Sequence, residues 1–189
     1  MAKRKAKNMG KQFETDFEQS AEESGYWVFR VRDVNPAALK NRFAIPKNPY
    51  DTMIFDGEFL YTLELKSNQG TSITHRGSNP QIKPHQVEAL VKASQYENVI
   101  AGLILNFRTD DNRTFFIPID DFVEYDLVTK GKKEDNYKAK INEKSIPLRI
   151  CEEIGIEVLS VKKRVHYRYF INDLLEQAAD NYNRRNVSI

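Results

Sequence analysis

Asp51, Glu64 and Lys66 stand in the stretch NPYDTMIFDGEFLYTLELKSN, residues 48–68, whose other members read as a hydrophobic β-hairpin. Two carboxylates and a lysine held close together suit hydrolysis assisted by a hard cation. Mg²⁺ or Mn²⁺ favours carboxylate, carbonyl and water oxygens, and can activate water or stabilise charge on a phosphate. A neighbouring lysine can orient that water, assist its deprotonation or neutralise charge in the transition state. Asp56-Gly57 separates the two β-rich runs and is a strong short-range hairpin signal. Pairing through it sets Asp51, at the entry of one strand, across from Glu64, near the exit of the other. Alternation puts Glu64 and Lys66 on one face and Leu63 and Leu65 on the other, where the leucines supply burial. Like charges directly opposite are unfavourable in a plain sheet, so a cation is expected between the two carboxylates. The competing reading is an ordinary solvated polar face.

The elements that must position these residues follow from periodicity. Phe13, Phe17 and Ala21 make a helical stripe over residues 10–24, closed by Gly25 as a C-terminal cap. YWVFRVRDV alternates Trp27, Phe29 and Val31 against Val28, Arg30 and Arg32, a strand with one partly polar face. Residues 33–49 contain three prolines and are expected to leave the domain as an irregular excursion. After the hairpin, NQGTSITHRGSNPQIK is rich in turn formers and is expected to be a long exposed loop. Pro84 starts a helix through PHQVEALVKASQYE, and VIAGLILNF reads as a strand buried on both faces. Another strand near 114–118, a short helix and a lysine-rich loop at 129–144 follow. In the final third, PLRICEEIG is open between helix and strand edge, VLSVKKRVHYRY is strand-like, and YFINDLLEQAADNY has helical spacing at Phe170, Leu174 and Ala178. The expected fold is α/β, a mixed central β-sheet flanked by helices.

At 189 residues the chain fits one domain. The expected division is a basic flexible tail over 1–9, one domain over 10–180 and a flexible tail over 181–189. Net charge is only +2, but the basic residues cluster: MAKRKAKN at the start, then Lys130, Lys132 and Lys133, then Lys162, Lys163 and Arg164, then Arg184 and Arg185. A local field of this kind makes a nucleic-acid partner plausible, although each cluster alone also reads as a solvated face. A single cysteine, Cys151, excludes an intrachain disulfide and a zinc site built on several thiolates. With no apolar run of transmembrane length and no signal-peptide pattern, the expected location is the cytoplasm, with no membrane association.

Phosphate loops, nucleophile elbows, dinucleotide fingerprints and H-E-x-x-H zinc motifs are missing, and His75, His85 and His166 share no metal-ligand spacing. Nucleotide hydrolysis, triad hydrolysis and an organic cofactor drop out, which leaves oxygen-ligand metal chemistry.

An Asp followed on the next strand by E-x-K is the P-D-(D/E)-x-K nuclease pattern, here PYD…ELK. The surrounding chain resembles the RecU-type Holliday junction resolvases of Gram-positive bacteria and their phages. GKQFETDFEQS looks like that family's first helix, DTMIFDGEFLYTLELKSN its catalytic hairpin, IKPHQVEAL the helix after it, and GLILNF and FFIPIDDF the following strands. The resemblance covers residues 10–125, with a weaker match through YFINDLLEQ. It implies a restriction-endonuclease-like core in which Asp51, Glu64 and the carbonyl of Leu65 bind Mg²⁺, with Mn²⁺ as a substitute, and Lys66 serves the attacking water. It matches Glu14 to an acidic residue of the first helix near the metal, although Glu14 also reads as one exposed helix acid beside Asp16 and Glu18. Gln86 matches a polar helix residue at the edge of the site.

The family's protruding stalk corresponds to residues 33–49, which are shorter here but basic through Lys40, Arg42 and Lys47. With Arg30, Arg32, Lys83 and His85 these make the expected DNA-binding set, suited to phosphate contacts. The implied activity is Mg²⁺-dependent resolution of four-way DNA junctions by a homodimer, through paired nicks that leave 5′-phosphate ends. Two alternatives stay open: an endonuclease of the same superfamily that cuts ordinary duplex, and a non-catalytic junction-binding protein.

Overall fold

A computed structural model describes residues 2–31, 48–109 and 111–187. The hairpin expected around Asp56-Gly57 forms. Strand β1 (Trp27–Arg30) pairs antiparallel with β2 (Thr52–Phe55), and β2 with β3 (Leu60–Asn68). The turn is a four-residue loop, Asp56–Phe59, because Phe55 pairs with Leu60. Asp56 organises it: its Oδ1 accepts from the amides of Glu58 at 2.9 Å and Phe59 at 2.7 Å, and Gly57 takes a φ of 106° that a side chain would resist. Thr52 lies opposite Leu63 in the last β2–β3 pair, and Asp51, just before it, also donates its amide to the Leu63 carbonyl, so the regular ladder ends there with Asp51 beside the Leu63–Leu65 stretch of β3.

A short strand β4 (Ser72–Thr74) leads to helix α2 (Pro84–Ala93), which returns the chain to β5 (Val99–Phe107), parallel to β3 over all nine residues of β3. Strand β6 (Arg113–Pro118), helix α3 (Ile119–Thr129), β7 (Ser145–Pro147), α4 (Leu148–Ile154), β8 (Ile156–Glu157), the pair β9 (Ser160–Lys163) and β10 (His166–Tyr169), and helix α5 (Ile171–Val187) complete the fold. The main sheet runs β1-β2-β3-β5-β6-β8, antiparallel except for β3–β5. This is the expected mixed sheet with helices on both faces.

One face buries Ile54, Tyr61, Leu63, Leu65 and Ile104 against Phe13, Phe17 and Ala21 of the first helix, α1 (Ala2–Glu23), and Leu174, Leu175 and Ala178 of α5. The other buries Leu103, Leu105, Phe107 and Ile117 under α2, α3 and α4. Side chains of this size each contribute about 2 kcal/mol on burial, so the helical stripe and the alternate strand positions suffice to fix which face each element presents.

Several expectations change. Helix α1 begins at Ala2 and α5 continues to Val187, so both segments expected as flexible tails carry helix. Ala, Lys, Arg and Met in the first are strong helix formers. Gly25 does close α1, with φ of 88° and the Tyr26 amide donating to the Ala21 carbonyl at 3.3 Å. The segment 68–83 is not a plain exposed loop. Its β4 pairs with β7, Ile73 and Ile82 are buried, and Arg76 binds Asp126 and Thr129 of α3. On β1 the apolar face of Trp27 and Phe29 is the exposed one, and the partly polar face of Val28 and Arg30 turns inward. Phe170 is exposed, and Ile171 takes the inward position ahead of Leu174. Arg32, Lys40, Arg42 and Lys47, and with them nearly all of the stalk-like excursion at 33–49, lie outside the described residues.

Candidate active site

Glu64 sits in the middle of β3 opposite Leu103 of β5, and its side chain is 0% exposed. The polar face of β3 is therefore covered, which removes the reading of a solvated alternation. Gln86 on α2 is the cover. Its Oε1 accepts from the Lys83 amide at 3.0 Å, which fixes the carboxamide, and its Nε2 donates to Glu64 Oε1. The Lys66 ammonium donates to the same Oε1. Glu64 Oε2 is buried with no hydrogen-bond partner among the described residues.

Asp51 completes the group from the end of β2. Its amide donates to the Leu63 carbonyl at 3.1 Å, its carbonyl accepts from the Val31 amide at 2.9 Å, and its Oδ2 accepts from the Leu65 amide at 2.9 Å. Lys66 Nζ lies 3.8 Å from that oxygen. The N–H and C=O of a strand residue point to the same side, so the Leu65 carbonyl faces the Asp51 side, past the last β2 pair. Two carboxylates, one ammonium, one carboxamide and one backbone carbonyl thus converge where β2 ends and β3 continues.

Burial dominates the electrostatics. Loss of solvent raises the Glu64 carboxyl to about 8, only partly offset by the Lys66 charge. Burial pulls the Lys66 ammonium down, but the charges of Glu64 and Asp51 outweigh it and leave Lys66 above its ordinary value. Lys66 is therefore a fixed positive charge, and Glu64 is the group that titrates.

Glu14 is placed differently. It lies on α1, across the sheet from Glu64, and takes an ion pair from Arg30 at 2.6 Å, while Arg30 also reaches Glu18 at 2.9 Å. Burial and then the Asp51 charge raise the Glu14 carboxyl, so Glu14 is electrostatically coupled to the site without being gathered into it. Arg30, expected to face DNA, is taken up by these two carboxylates. The reading of Glu14 as one exposed helix acid does not hold, since it is half-buried in an ion pair, and its neighbours Asp16 and Glu18 are buried. Glu18 accepts from Thr52 Oγ1 at 2.7 Å, and Asp16 binds the β9–β10 hairpin. The i, i+4 spacing of Glu14 and Glu18 on one helix flank was the available signal for their shared partner. Lys83 Nζ donates to Asn79 at 2.6 Å, and His85 is half-buried on α2. Cys151 is fully buried, which pushes its thiol up and makes it unreactive.

A cleft of about 600 Å³ between Tyr96, Asn98, Asp120, Tyr182 and Arg185 lies at the starting end of β5, away from these carboxylates. No helix among the described residues is long and apolar enough to cross a membrane.

No family model matches the sequence. Among solved structures, the chain is similar to Hjc of Archaeoglobus fulgidus, a Holliday junction resolvase from an archaeal hyperthermophile. That match has 15% identity and a TM-score of 0.49, and covers 78% of this chain and 95% of that one. Among curated proteins, it is 43% identical over 169 residues to the SPbeta prophage-derived uncharacterized protein YotM of Bacillus subtilis strain 168, covering 89% of this chain and 86% of that protein. At that identity and coverage, the chain belongs to the same family as YotM.

Proposed function

We propose that this chain is a metal-dependent endodeoxyribonuclease that resolves four-way DNA junctions, and that it works as a homodimer. The observation that carries the catalytic part is Glu64: a carboxylate fully buried in the sheet, one oxygen held by Lys66 and Gln86, the other without a partner, and a second carboxylate alongside. Such an arrangement is costly unless a cation completes it.

The donors present fit a hard divalent ion. Among the described residues no group of three or more His, Cys, Asp or Glu side chains forms a closed cage. Asp51, Glu64 and the Leu65 carbonyl form an incomplete oxygen set of the kind Mg²⁺ accepts, since that ion keeps several waters. Mn²⁺ would fit the same donors. A bound ion would supply an activated water and stabilise charge on the scissile phosphate. The rest is done by the chain. Lys66 presents a permanent positive charge beside the water and the phosphate. Gln86 fixes the rotamer of Glu64, and the Leu65 amide fixes that of Asp51. Glu14 adds negative charge from beyond the sheet end. Lys83 and His85 at the start of α2, with Arg32, Lys40, Arg42 and Lys47, are assigned to phosphates. The selectivity for a branched substrate rests on the resemblance to junction resolvases, and the dimer on the two-fold symmetry of a junction that needs two nicks.

A gel assay tests this: a mobile four-way junction and a linear duplex, incubated with Mg²⁺, Mn²⁺ or EDTA, with wild type and Glu64→Gln. Paired nicks in the junction that need metal and Glu64 are expected. Equal cutting of linear duplex would make it a general duplex endonuclease. Junction binding without cutting in either metal would make it a binding protein, and cutting in EDTA would sink the proposed chemistry.

A further inference from the structure

The β9–β10 hairpin carries Lys162, Lys163, Arg164, His166 and Arg168, all exposed. Arg168 lies 3.9 Å from Glu23 and His166 bonds Asp16, but Lys162, Lys163 and Arg164 have no ion pair among the described residues. His166 pairs with Lys163, so Arg164 and Val165 form a two-residue tip, and Arg164 holds a φ of 56°. That left-handed conformation suits Gly or Asn in such turns, so a cation stands at the tip where a cheaper residue was available.

A two-stranded hairpin is marginal alone. Here α1 stabilises it along the free edge of β10. Gln12 Nε2 donates to the Val165 carbonyl, and Asp16 accepts from His166 Nδ1 at 2.7 Å and from the Tyr167 amide at 3.0 Å. Ser20 Oγ accepts from the Tyr169 amide at 3.0 Å. Gln12, Asp16 and Ser20 recur at i, i+4, i+8, so one stripe of the helix follows β10 much as a neighbouring strand would. The Asp16 side chain is 1% exposed, which makes this a desolvated, fixed attachment.

The same two turns of α1 bind β1 and β2 from their other flank, through Glu14 and Glu18 on Arg30 and Thr52, across the sheet from the candidate active site. Further along, Arg108 joins the Met9 carbonyl at 2.8 Å to Ser67 at 3.2 Å, next to Lys66. The basic tip is thus held at the turn of α1 that carries Gln12, next to the turn whose Glu14 meets Arg30, while the carboxylates Asp51 and Glu64 lie across the sheet from that helix.

We infer that the β9–β10 hairpin is a phosphate-binding arm, held rigid by α1, that grips the DNA duplex flanking the cleavage site. This rests on the DNA-cleaving reading for its substrate, but not on metal chemistry. Pre-fixed cations spend little ordering entropy on binding and release counterions from the duplex.

The test uses the full chain in EDTA, with a fluorescent four-way junction and a linear duplex titrated across NaCl concentrations. The variants are Lys162→Ala/Lys163→Ala/Arg164→Ala and, as an equal-sign control elsewhere, Lys138→Ala/Lys140→Ala, each checked by circular dichroism. Removing the arm is expected to flatten the slope of log affinity against log salt by about 2 to 3 and weaken binding about 10- to 100-fold at low salt, while the control stays near wild type. An unchanged slope, an equal loss in the control, or no DNA binding by wild type would overturn the arm. Wild type that binds through the arm but cuts nothing would defeat the nuclease reading alone. Glu64-dependent cutting with an unaltered salt slope would defeat the arm alone.

Discussion

Two clusters of two carboxylates and one cation lie at the same sheet end, one on each face. On the α1 side, Glu14 and Glu18 share Arg30, and Thr52 satisfies the remaining reach of Glu18. On the α2 side, Asp51 and Glu64 share Lys66, with Gln86 in support. All of Glu14, Glu18 and Glu64 are raised by burial, but only Glu64 reaches about 8 and only Glu64 keeps a buried oxygen without a partner. The difference lies in the cation. A guanidinium forks between two carboxylates and closes the group, whereas the ammonium of Lys66 is a point charge that leaves a carboxylate oxygen without a donor. The first cluster is closed by protein donors; the second leaves Glu64 Oε2 without one, which is where the proposed cation would bind.

The largest expected effect breaks the two apart in activity. Asp51→Asn should lower metal-dependent cutting about 10³-fold, while Glu18→Gln stays within about threefold; comparable losses in a single-turnover cleavage assay would erase the distinction. Next comes stability against pH in the absence of metal. The unfolded Glu64 carboxyl loses its proton near 4.5 and the folded one near 8, so in that window the folded state binds more protons. Stability should therefore fall as pH rises through it, by up to about 1.4 kcal/mol per pH unit, and Glu64→Gln should flatten the curve in urea melts. Metal affinity should rise over the same window, because binding displaces that proton.

Third, Arg30→Ala should cost about 2 kcal/mol and lower Tm by about 4–8 °C, since it leaves Glu14 and Glu18 without their shared partner. A wild-type melting curve for this variant would show that the first cluster is not what holds α1 to β1. The smallest effect is expected for Gln86→Ala, which loosens Glu64 without touching metal or DNA, at about 1 kcal/mol, or a three- to tenfold loss of cutting rate with metal dependence retained.

The α2-side cluster was readable in the sequence because two rules agreed. The Asp-Gly turn set which residues face each other, and the period of two set which share a face. Phe13, Phe17 and Ala21 likewise announced the helix that covers β3. What escaped was of longer range. The pairing of β4 with β7 joins residues some seventy positions apart, and no local signal marks either three-residue strand as more than a loop. On β1, alternation separated the two faces but not which one is buried: Arg30 is drawn inward by two helix acids that local alternation does not see, and Trp27 and Phe29 are left exposed. The role of Asp16 was not legible for the same reason: its partner, the β10 hairpin edge, lies about 150 positions away.

The Leu65 amide bonds to the Asp51 carboxylate and not to a backbone carbonyl. That makes a single backbone proton a spectroscopic witness of the whole site. Its chemical shift and hydrogen-exchange rate depend on where one carboxylate oxygen points, so in an ¹⁵N spectrum this resonance should move when Mg²⁺ is added. Amides of the apolar run of β6 from Phe115 to Ile117, one strand further from the site, should hold still.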